Sequence, residues 1–451
     1  MKSGINPIGL RGIAILLSLL IAPVHGDTPD AKENATAENS LNEQADSNKQ
    51  ASQVTPLAHR VREAIDNSLQ PFSGSVLLSQ GGKPLLSLQK GRGIDQESSF
   101  VIASLSKQIT ATLILRAVDA GKLHLDRTIN SYRFDSDTRV DNEPNLSKKP
   151  ESEASPGFDA KFETVADADL ATAQADDENA PSSTAALQSP SPESVPEILY
   201  GTSTQEQPFF NPNRFDERIT LHHLLSHTSG IDRLGKPNRF EPGSQFQYSN
   251  YGYTVLGELL EQVNQQPLAQ QIADFKLANR LGGIYAELGD IDDIRQRAPA
   301  LAIGLTETAN GLSPSDLEIT PSLIPAGGVI ATARAFADFQ QKLHSGKLTS
   351  AKSYHLMTTP HTEIAFLWPN MSYGYGLRIN FDGDLTEYSH TGYLPGYMSM
   401  TLYYPQFDMS LVMLENISLN LNSLERVFEL HNQVRAIIRE RLLSTQIQDV
   451  K

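Results

Sequence analysis

Apolar residues recur every three or four positions in several stretches of the chain, among them residues 246–263 and 333–343, which is the pattern of an amphipathic helix. The first helical face is formed by Leu57, Val61, Ile65 and Leu69. A second face begins just after Ser104, and Gly121 is placed to end that helix because glycine readily takes the left-handed conformation of a helix C-terminus. A long amphipathic helix is predicted over residues 424–443.

Shorter apolar runs bounded by turn residues predict β-strands. Residues 75–79 and 85–88 flank Gly81-Gly82, a pair that favours a tight hairpin. Residues 398–404 and 411–414 predict further strands near the C-terminus. Helices and strands at both ends, with helical material between them, predict an α+β fold: an antiparallel sheet flanked by terminal helices, with an inserted helical subdomain.

Residues 1–26 have the composition of a secretory signal peptide. Lys2 and Arg11 precede the apolar run Ile13–Ala22, and small residues follow it before a cleavage site at the end of the segment. The run is short for a bilayer span, so an uncleaved anchor is the alternative, and no stable membrane span is expected after cleavage. Residues 27–56 are polar and lack periodicity, which predicts a disordered spacer. We therefore expect an exported protein, most simply in a bacterial periplasm.

Periodicity is lost over residues 134–215, which are rich in Pro, Ser, Ala, Asp and Glu. Residues 135–197 contain 15 acidic and four basic residues, so this segment carries most of the net charge of −16. We predict a disordered acidic insertion within one domain spanning 57–445, followed by a tail at 446–451; a lid or partner-binding segment is the alternative. The acidic balance argues against nucleic acid as a partner. The chain has no cysteine, which excludes disulfides and cysteine-bound metal.

Ser104 and Lys107 stand three residues apart at the predicted start of the second helix. This spacing puts both side chains on one helical face, so the lysine amine can reach the serine hydroxyl. A lysine that is neutral because it is desolvated can take the serine proton and make the hydroxyl a nucleophile. Alone the pair is weak evidence, since the same spacing fits a helix-capping serine beside a solvated lysine.

Two more short motifs follow at large separations. Tyr248-Ser-Asn250 precedes a predicted helix, and His390-Thr-Gly392 precedes the C-terminal strands. Taken alone, Tyr248 and Asn250 could simply cap the helix that follows them. Together with Ser-x-x-Lys, the order Tyr-x-Asn and His-x-Gly resembles the serine β-lactamase and penicillin-binding-protein superfamily, specifically its class C-like branch.

Connecting segments strengthen this resemblance. The strings that are similar to the superfamily, in its order, are Asp119-Ala-Gly-Lys-Leu123, Leu224-Leu-Ser-His-Thr-Ser-Gly230, Glu241-Pro-Gly243, Tyr248-Ser-Asn-Tyr-Gly-Tyr253 and Ala326-Gly-Gly328. The resemblance covers about residues 59–416 outside the acidic insertion. It implies a transpeptidase-like fold, in agreement with the predicted sheet and helical insertion.

The resemblance implies a catalytic role for each residue of the first two motifs. Ser104 would attack a carbonyl and form an acyl-enzyme, and Lys107 and Tyr248 would share the general-base role. Lys107 and a protonated His390 are expected to lower the pKa of Tyr248. Asn250 would hold Lys107 in place and contact the substrate.

The third motif is expected to bind the substrate through His390 and Thr391. The backbone N–H groups of Ser104 and Tyr393 would form an oxyanion hole, with Gly392 allowing the close approach of two backbones. His390 replaces the lysine that most β-lactamases have at this place, and a histidine is only partly cationic at neutral pH. In the superfamily, histidine here is more usual among D-amino-acid peptidases and esterases.

The resemblance implies a secreted serine hydrolase that acts on D-amino-acid peptides, as a DD-peptidase does, or on small esters. The alternatives are a β-lactamase or a catalytically idle relative that binds a peptide or a protein partner. Its substrate would be a small molecule or a peptide, and association with the cell wall would fit. No cofactor is expected. A metal site at His222, His223 and His227 is disfavoured because these histidines lie in one of the superfamily-like turns.

Overall fold

The computed structural model describes residues 56–132, 215–232, 237–366 and 368–449. The predicted signal peptide lies outside the described residues. So do the predicted spacer and acidic insertion, except for the terminal residues 56 and 215. The account that follows concerns the compact unit formed by residues 54–451.

The described chain begins with a helix and a hairpin. Helix α1 covers residues 56–66. Strands β1 (Gly74–Gln80) and β2 (Lys83–Lys90) are joined by Gly81 and Gly82, which have φ values of +56° and +71°. This confirms the predicted hairpin, since positive φ at both central residues is what a tight turn requires.

The first helix is shorter than the apolar spacing predicts. It ends at residue 66, and Leu69 is 94% exposed instead of joining the core. The Ser68 hydroxyl accepts a hydrogen bond from Gln70 N at 3.1 Å, and Pro71 disfavours a helical conformation for the residue before it. Local turn chemistry therefore outweighs the apolar period here.

The middle of the chain forms a helical subdomain with short strands between its helices. The helices are α2 (Ser106–Asp119), α3 (Leu221–Leu225), α4 (Asn250–Asn264), α5 (Leu268–Asn279), α6 (Ile291–Arg297), α7 (Ala333–His344) and α8 (Ala351–Met357). The strands are β3 (Ser99–Val101), β4 (Ile284–Tyr285), β5 (Gly289–Asp290), β6 (Leu305–Thr308), β7 (Gly311–Pro314), β8 (Glu318–Ile319) and β9 (Ile330–Thr332). Gly121, just past α2, has φ +70°, as predicted for a helix-ending glycine.

The last third of the chain supplies most of the main sheet. Its strands are β10 (Thr362–Ile364), β11 (Met371–Tyr373), β12 (Arg378–Asp382), β13 (Leu385–Leu394), β14 (Tyr397–Tyr404), β15 (Met409–Glu415) and β16 (Ile417–Ser418). Two helices, α9 (Leu424–Val427) and α10 (Glu429–Asp449), follow them. The predicted single helix is thus divided near Phe428. Helix α10 also continues past residue 445 into the predicted tail, because no glycine or proline interrupts the sequence there.

The main sheet has eight strands in the order β10-β11-β12-β13-β14-β15-β1-β2, and every neighbouring pair is antiparallel. The N-terminal hairpin joins the C-terminal strands through β1 and β15, with Gly74 opposite Glu415. The fold prediction is confirmed: strands from both ends of the chain share one antiparallel sheet, and the helical subdomain is inserted between them.

Two large apolar cores lie against this sheet. One packs the terminal helices on the sheet, and its members include Leu57, Val61 and Ile65 of α1, Val434 and Ile438 of α10, and Val76, Leu78, Met400 and Leu402 of the strands. The other joins α2, α4, α5 and α7 to the remaining sheet surface. Full burial of one such side chain contributes about 1.5–3 kcal/mol, so apolar contact is the main force that holds these layers together. In the described part of the chain, no helix is long and apolar enough to cross a membrane.

Candidate active site

Ser104 lies in a short 3₁₀ turn, Ala103–Leu105, that runs directly into α2. We expected Ser104 within the first helical turn; the structure places Lys107 there and Ser104 just before the helix. Ala103 has φ +48°, in the left-handed region that residues with a Cβ rarely adopt. The turn before the serine is therefore strained, and the surrounding structure must hold it in place.

Hydrogen bonds from two other elements hold this turn. The Ser399 hydroxyl of β14 donates to Ile102 O at 2.8 Å, and Ile102 N donates to Val329 O at 2.9 Å. Val329 N in turn donates to Ser106 Oγ at 3.1 Å. Because these bonds flank Ser104 on both sides, its position is set by the main sheet and by the chain just before β9.

Lys107 is fully buried next to Ser104. Its Nζ lies 3.3 Å from Ser104 Oγ, 2.7 Å from Asn250 Oδ1 and 2.7 Å from Ala326 O. The amide and carbonyl oxygens can only accept, so they take two of the lysine N–H groups. Either a third N–H group of Lys107 or the lone pair of its neutral amine can point toward Ser104. The arrangement therefore allows a proton to pass between serine and lysine.

Tyr248 precedes α4, and its ring centroid lies 4.8 Å from Lys107 Nζ. A side-chain hydrogen bond joins it to Ser104. Burial raises the pKa of Tyr248 to about 12, although the Arg378 guanidinium and the bond to Ser104 act in the opposite direction. The expected lowering of this pKa is wrong, because desolvation outweighs the neighbouring positive charge. In the resting site Tyr248 is a neutral phenol.

Strand β13 carries the third motif and passes very close to the serine turn. A Cβ added to Gly392 would lie 2.9 Å from Ser104 N, a distance that real Cβ atoms do not show. The close approach predicted for Gly392 is therefore present in the structure. The Tyr393 hydroxyl donates to Leu419 O at 2.6 Å, and this hydrogen bond fixes the position of the tyrosine side chain. The oxyanion role of the Ser104 and Tyr393 N–H groups stays a prediction.

His390 is fully buried and its two ring nitrogens both have partners. Nδ1 lies 2.6 Å from Thr391 O, and Nε2 lies 3.1 Å from Tyr373 Oη. A carbonyl can only accept, so Nδ1 carries the proton and Nε2 can accept from the tyrosine. Burial, and next the charges of Arg378 and Lys107, hold the pKa of His390 well below its usual value. The expectation of a protonated His390 is therefore wrong.

Arg378 is a buried cation at this site that the sequence reasoning missed. It lies on β12, and its Nη1 donates to Thr391 Oγ1 at 3.1 Å. Its guanidinium also stacks on the Phe366 ring at 4.0 Å. Burial lowers the pKa of Arg378, and no carboxylate among the described residues acts on its charge. A single arginine in a strand has no local sequence signature, so only its pairing with Thr391 could have revealed it.

The histidines considered for a metal site have structural partners. The described residues contain no cluster of three or more metal-ligating side chains. His222 Nδ1 lies 2.8 Å from Tyr375 Oη, and burial lowers its pKa to about 4. His223 Nδ1 accepts from Thr220 N at 3.2 Å, which caps α3. His227 is directed toward the Tyr248 segment instead.

The β-lactamase family model matches residues 61–434, well over half of the chain. The chain belongs to the β-lactamase family. The predicted superfamily is thereby confirmed, while the class C-like branch stays a prediction. All the motif residues lie within the matched range, and the described structure brings Ser104, Lys107, Tyr248 and Asn250 into direct contact.

Individual relatives carry several different activities in their names. The putative penicillin-binding protein PbpX of Bacillus subtilis (strain 168) is 26% identical over 241 residues, covering 48% of this chain and 56% of that protein. This chain thus matches little more than half the length of that relative. D-amino acid amidase from Ochrobactrum anthropi SV3 has a TM-score of 0.58 at 16% identity, covering 87% of this chain and 99% of the other. EstCE1, a hydrolase with promiscuous acyltransferase activity, has a TM-score of 0.57 at 19% identity, with coverage of 85% and 99%. At such identities these likenesses show the fold alone.

Proposed function

We propose that this protein is a serine hydrolase that forms an acyl-enzyme on Ser104. The observation that carries the proposal is the position of Lys107 Nζ, 3.3 Å from Ser104 Oγ and held by two fixed acceptors. In the deprotonated form of Lys107, two N–H groups stay committed to Asn250 and Ala326, and the lone pair faces the serine proton. The serine oxygen then bonds to the substrate carbonyl as its proton moves to Lys107.

Tyr248 complements Lys107 as the second acid-base group. A phenol with a pKa of about 12 is a poor base but can carry a proton between the lysine, Ser104 and the leaving group. The leaving amine or alcohol departs with that proton, and water repeats the sequence in reverse to release the acid. General acid-base help of this kind is worth about a hundred- to ten-thousand-fold in rate.

Substrates with a carboxylate beside the scissile bond suit this site best. The Thr391 hydroxyl accepts from Arg378, so its own proton remains for another acceptor. A hydroxyl polarised by a buried guanidinium is a good donor to an anion. This arrangement favours D-amino-acid peptides, as the amidase and penicillin-binding protein names among the relatives also suggest.

A small-ester substrate is the second candidate, and the name of EstCE1 supports it. The arrangement of Ser104 and Lys107 can attack an ester without any carboxylate anchor. A β-lactamase is the third candidate, since the same nucleophile would open a lactam ring. Residues 1–26 have basic, apolar and small residues in the order of a signal peptide, which supports export. Export and association with the cell wall are part of this proposal.

The test is an intact-mass time course of the purified protein with a penicillin and, separately, with an activated ester. A long-lived penicillin adduct on the wild type and none on Ser104→Ala would establish the nucleophile and favour a peptidase. Ester turnover without an adduct would favour the esterase. We expect Ser104→Ala to lower ester turnover by about 10⁴-fold or more. Equal rates for both proteins, with no adduct, would refute the proposal in favour of an idle relative.

A further inference from the structure

His227 forms hydrogen bonds to the residues on both sides of Tyr248. Its backbone carbonyl accepts from Gln247 N at 2.8 Å, and its side-chain Nδ1 accepts from Ser249 N at 3.1 Å. Its ring lies 4.4 Å from the Tyr248 ring, at an angle of 36°. His227 therefore contacts Gln247, Ser249 and the phenol ring between them, although it lies at least 20 residues earlier in the chain.

The same contact extends to Asn250. Ser249 is the N-cap of α4: its hydroxyl accepts from Gly252 N at 2.9 Å while its own N–H donates to His227. Asn250 is the first residue of that helix and holds Lys107. The His227 side chain therefore fixes the chain from which both Tyr248 and Asn250 project.

The bond to Ser249 requires one particular form of the imidazole. A backbone N–H can only donate, so Nδ1 must carry no proton, and the neutral ring then bears its proton on Nε2. Nε2 is buried and has no hydrogen-bond partner in the described part of the chain. Its surroundings are aromatic: the Tyr373 ring lies at 4.8 Å and an angle of 63°, and the Phe246 ring at 5.9 Å and an angle of 87°. A second proton on this ring would break the Ser249 bond.

The backbone of His227 is unusual as well. Its φ is +58°, in the left-handed region that few residues other than glycine adopt and where asparagine and histidine are the better tolerated ones. A small asparagine would satisfy the backbone and still offer an acceptor close to the position of Nδ1. The imidazole is fully buried among aromatic rings, so its ring adds packing to the acceptor that holds the Tyr248 segment.

We propose that His227, in its neutral Nε2–H form, is a positioning residue that sets the place of the Tyr248 hydroxyl and of Asn250 relative to Ser104. The inference rests on the proposed function for its catalytic consequence. Without the Nδ1 acceptor, the segment around Tyr248 would shift. A displacement near 1 Å at an acid-base group costs about 100-fold in rate.

The test compares two variants that each keep half of the imidazole's contacts. His227→Asn keeps an acceptor and tolerates the positive φ, whereas His227→Phe keeps an aromatic ring and loses the acceptor. For ester hydrolysis we expect His227→Asn to keep kcat within about fivefold of wild type. We expect His227→Phe to lose about 10- to 100-fold in kcat with KM little changed. Thermal unfolding of each variant checks that it is folded.

The second measurement uses the wild-type protein with ¹⁵N-labelled histidine, and the spectrum of His227→Asn assigns the signal. The charged and titratable groups around His227 are Lys107 of α2, Arg378 of β12, the tyrosines at 248, 253 and 373, and His390. We expect one neutral Nε2–H form from pH 5.5 to 8.5, because burial and the two cations lower the pKa of His227.

Three results would overturn the inference: a His227→Phe variant as fast as wild type, a His227→Asn variant as slow as His227→Phe, or titration of His227 within that pH range. Failure of the proposed function gives a different outcome. Wild type and Ser104→Ala would then hydrolyse esters equally, while the NMR measurement would still decide whether the neutral histidine binds Ser249.

Discussion

Strand β13 takes part in two buried polar clusters that balance charge in different ways. At the C-terminal helix, the fully buried Glu387 carboxylate accepts hydrogen bonds from Arg435 at 2.8 Å, Arg439 at 3.0 Å and the Tyr404 hydroxyl at 2.9 Å. At the candidate active site, Arg378 is buried as well, but its hydrogen bond goes to a threonine hydroxyl. Opposite charges meet inside the fold in the first cluster, and a cation meets neutral groups in the second.

The two clusters differ in whether folding brings an opposite charge to the buried charged group. Burying a charge costs several kcal/mol unless an opposite charge and hydrogen bonds offset the lost hydration. The Glu387 cluster meets this condition within the chain and attaches α10 to the sheet. The positive charge of Arg378 lies beside Thr391 and acts on Tyr248, and under the proposed function it would be balanced when a negative group of a substrate or transition state arrives.

The largest effect is expected from breaking the completed cluster. Glu387→Gln would leave the buried Arg435 guanidinium without its carboxylate and would remove one of the two carboxylates bound to Arg439, so the free energy of unfolding should fall by about 3–5 kcal/mol. The matched control is Asp382→Asn, which removes a carboxylate that is 53% exposed and bound to the same Arg439. That control should cost less than about 1 kcal/mol. Urea denaturation measures the free energy of unfolding of both variants. Equal losses would contradict the expected difference between the buried and the exposed carboxylate.

The second prediction concerns Arg378→Met. Removing a buried cation that has no carboxylate partner among the described residues should leave the free energy of unfolding unchanged or raise it. KM for a carboxylate-bearing D-peptide should rise about 10- to 100-fold, because a hydrogen bond to a charged group contributes about 1.5–3 kcal/mol. An ester without a carboxylate serves as the control substrate and should be little affected. Equal losses on both substrates would show that Arg378 supports the site in general and does not select an anion.

The smallest effect is expected for the pH dependence of KM, because His390 should not contribute to it. Its pKa is lowered well below 6.5, so the ring stays neutral in the folded protein from pH 6 to pH 8. KM for a carboxylate-bearing substrate should therefore stay level over that range. A rise in KM with a midpoint near 6.5 would show that His390, and not Arg378, supplies the positive charge.

The same lowered pKa has a consequence for stability. The unfolded chain binds a proton at His390 below about pH 6.5, and the folded chain does not. This contribution to stability is therefore present above pH 6.5 and is lost as the pH falls below it. Urea denaturation at pH 7 and pH 5 should show a smaller loss for His390→Gln than for wild type. An identical loss in both proteins would mean that His390 is protonated in the folded state too.

Much of the fold could be predicted from local pattern. The hairpin at Gly81-Gly82 and the end of α2 at Gly121 follow from residues that are neighbours in sequence. The end of α1 was misplaced because the turn at Ser68 and Pro71 competes with the apolar period. The proximity of Ser104 and Lys107 followed from helical spacing, although Ser104 lies in the 3₁₀ turn just before the helix and not in the helix itself.

The rest of the site could not be predicted, because its parts come from distant segments. Nothing near Ala326 marks its carbonyl as an acceptor for Lys107, and nothing near Arg378 marks it as the partner of Thr391. His227 was recognisable as part of a turn, but its bond to Ser249 depends on how two loops meet. Such contacts arise only when the sheet and the helical subdomain pack together.

The sequence by itself determined the fold class, the proximity of Ser104 and Lys107, and the three motifs, since these depend on periodicity and on short spacings along the chain. The tertiary structure alone decided the charge states: a neutral His390, a phenol at Tyr248 and a cation at Arg378. The physical reason is that a pKa depends on burial and on charges across the site, and both are set by residues far apart in the chain.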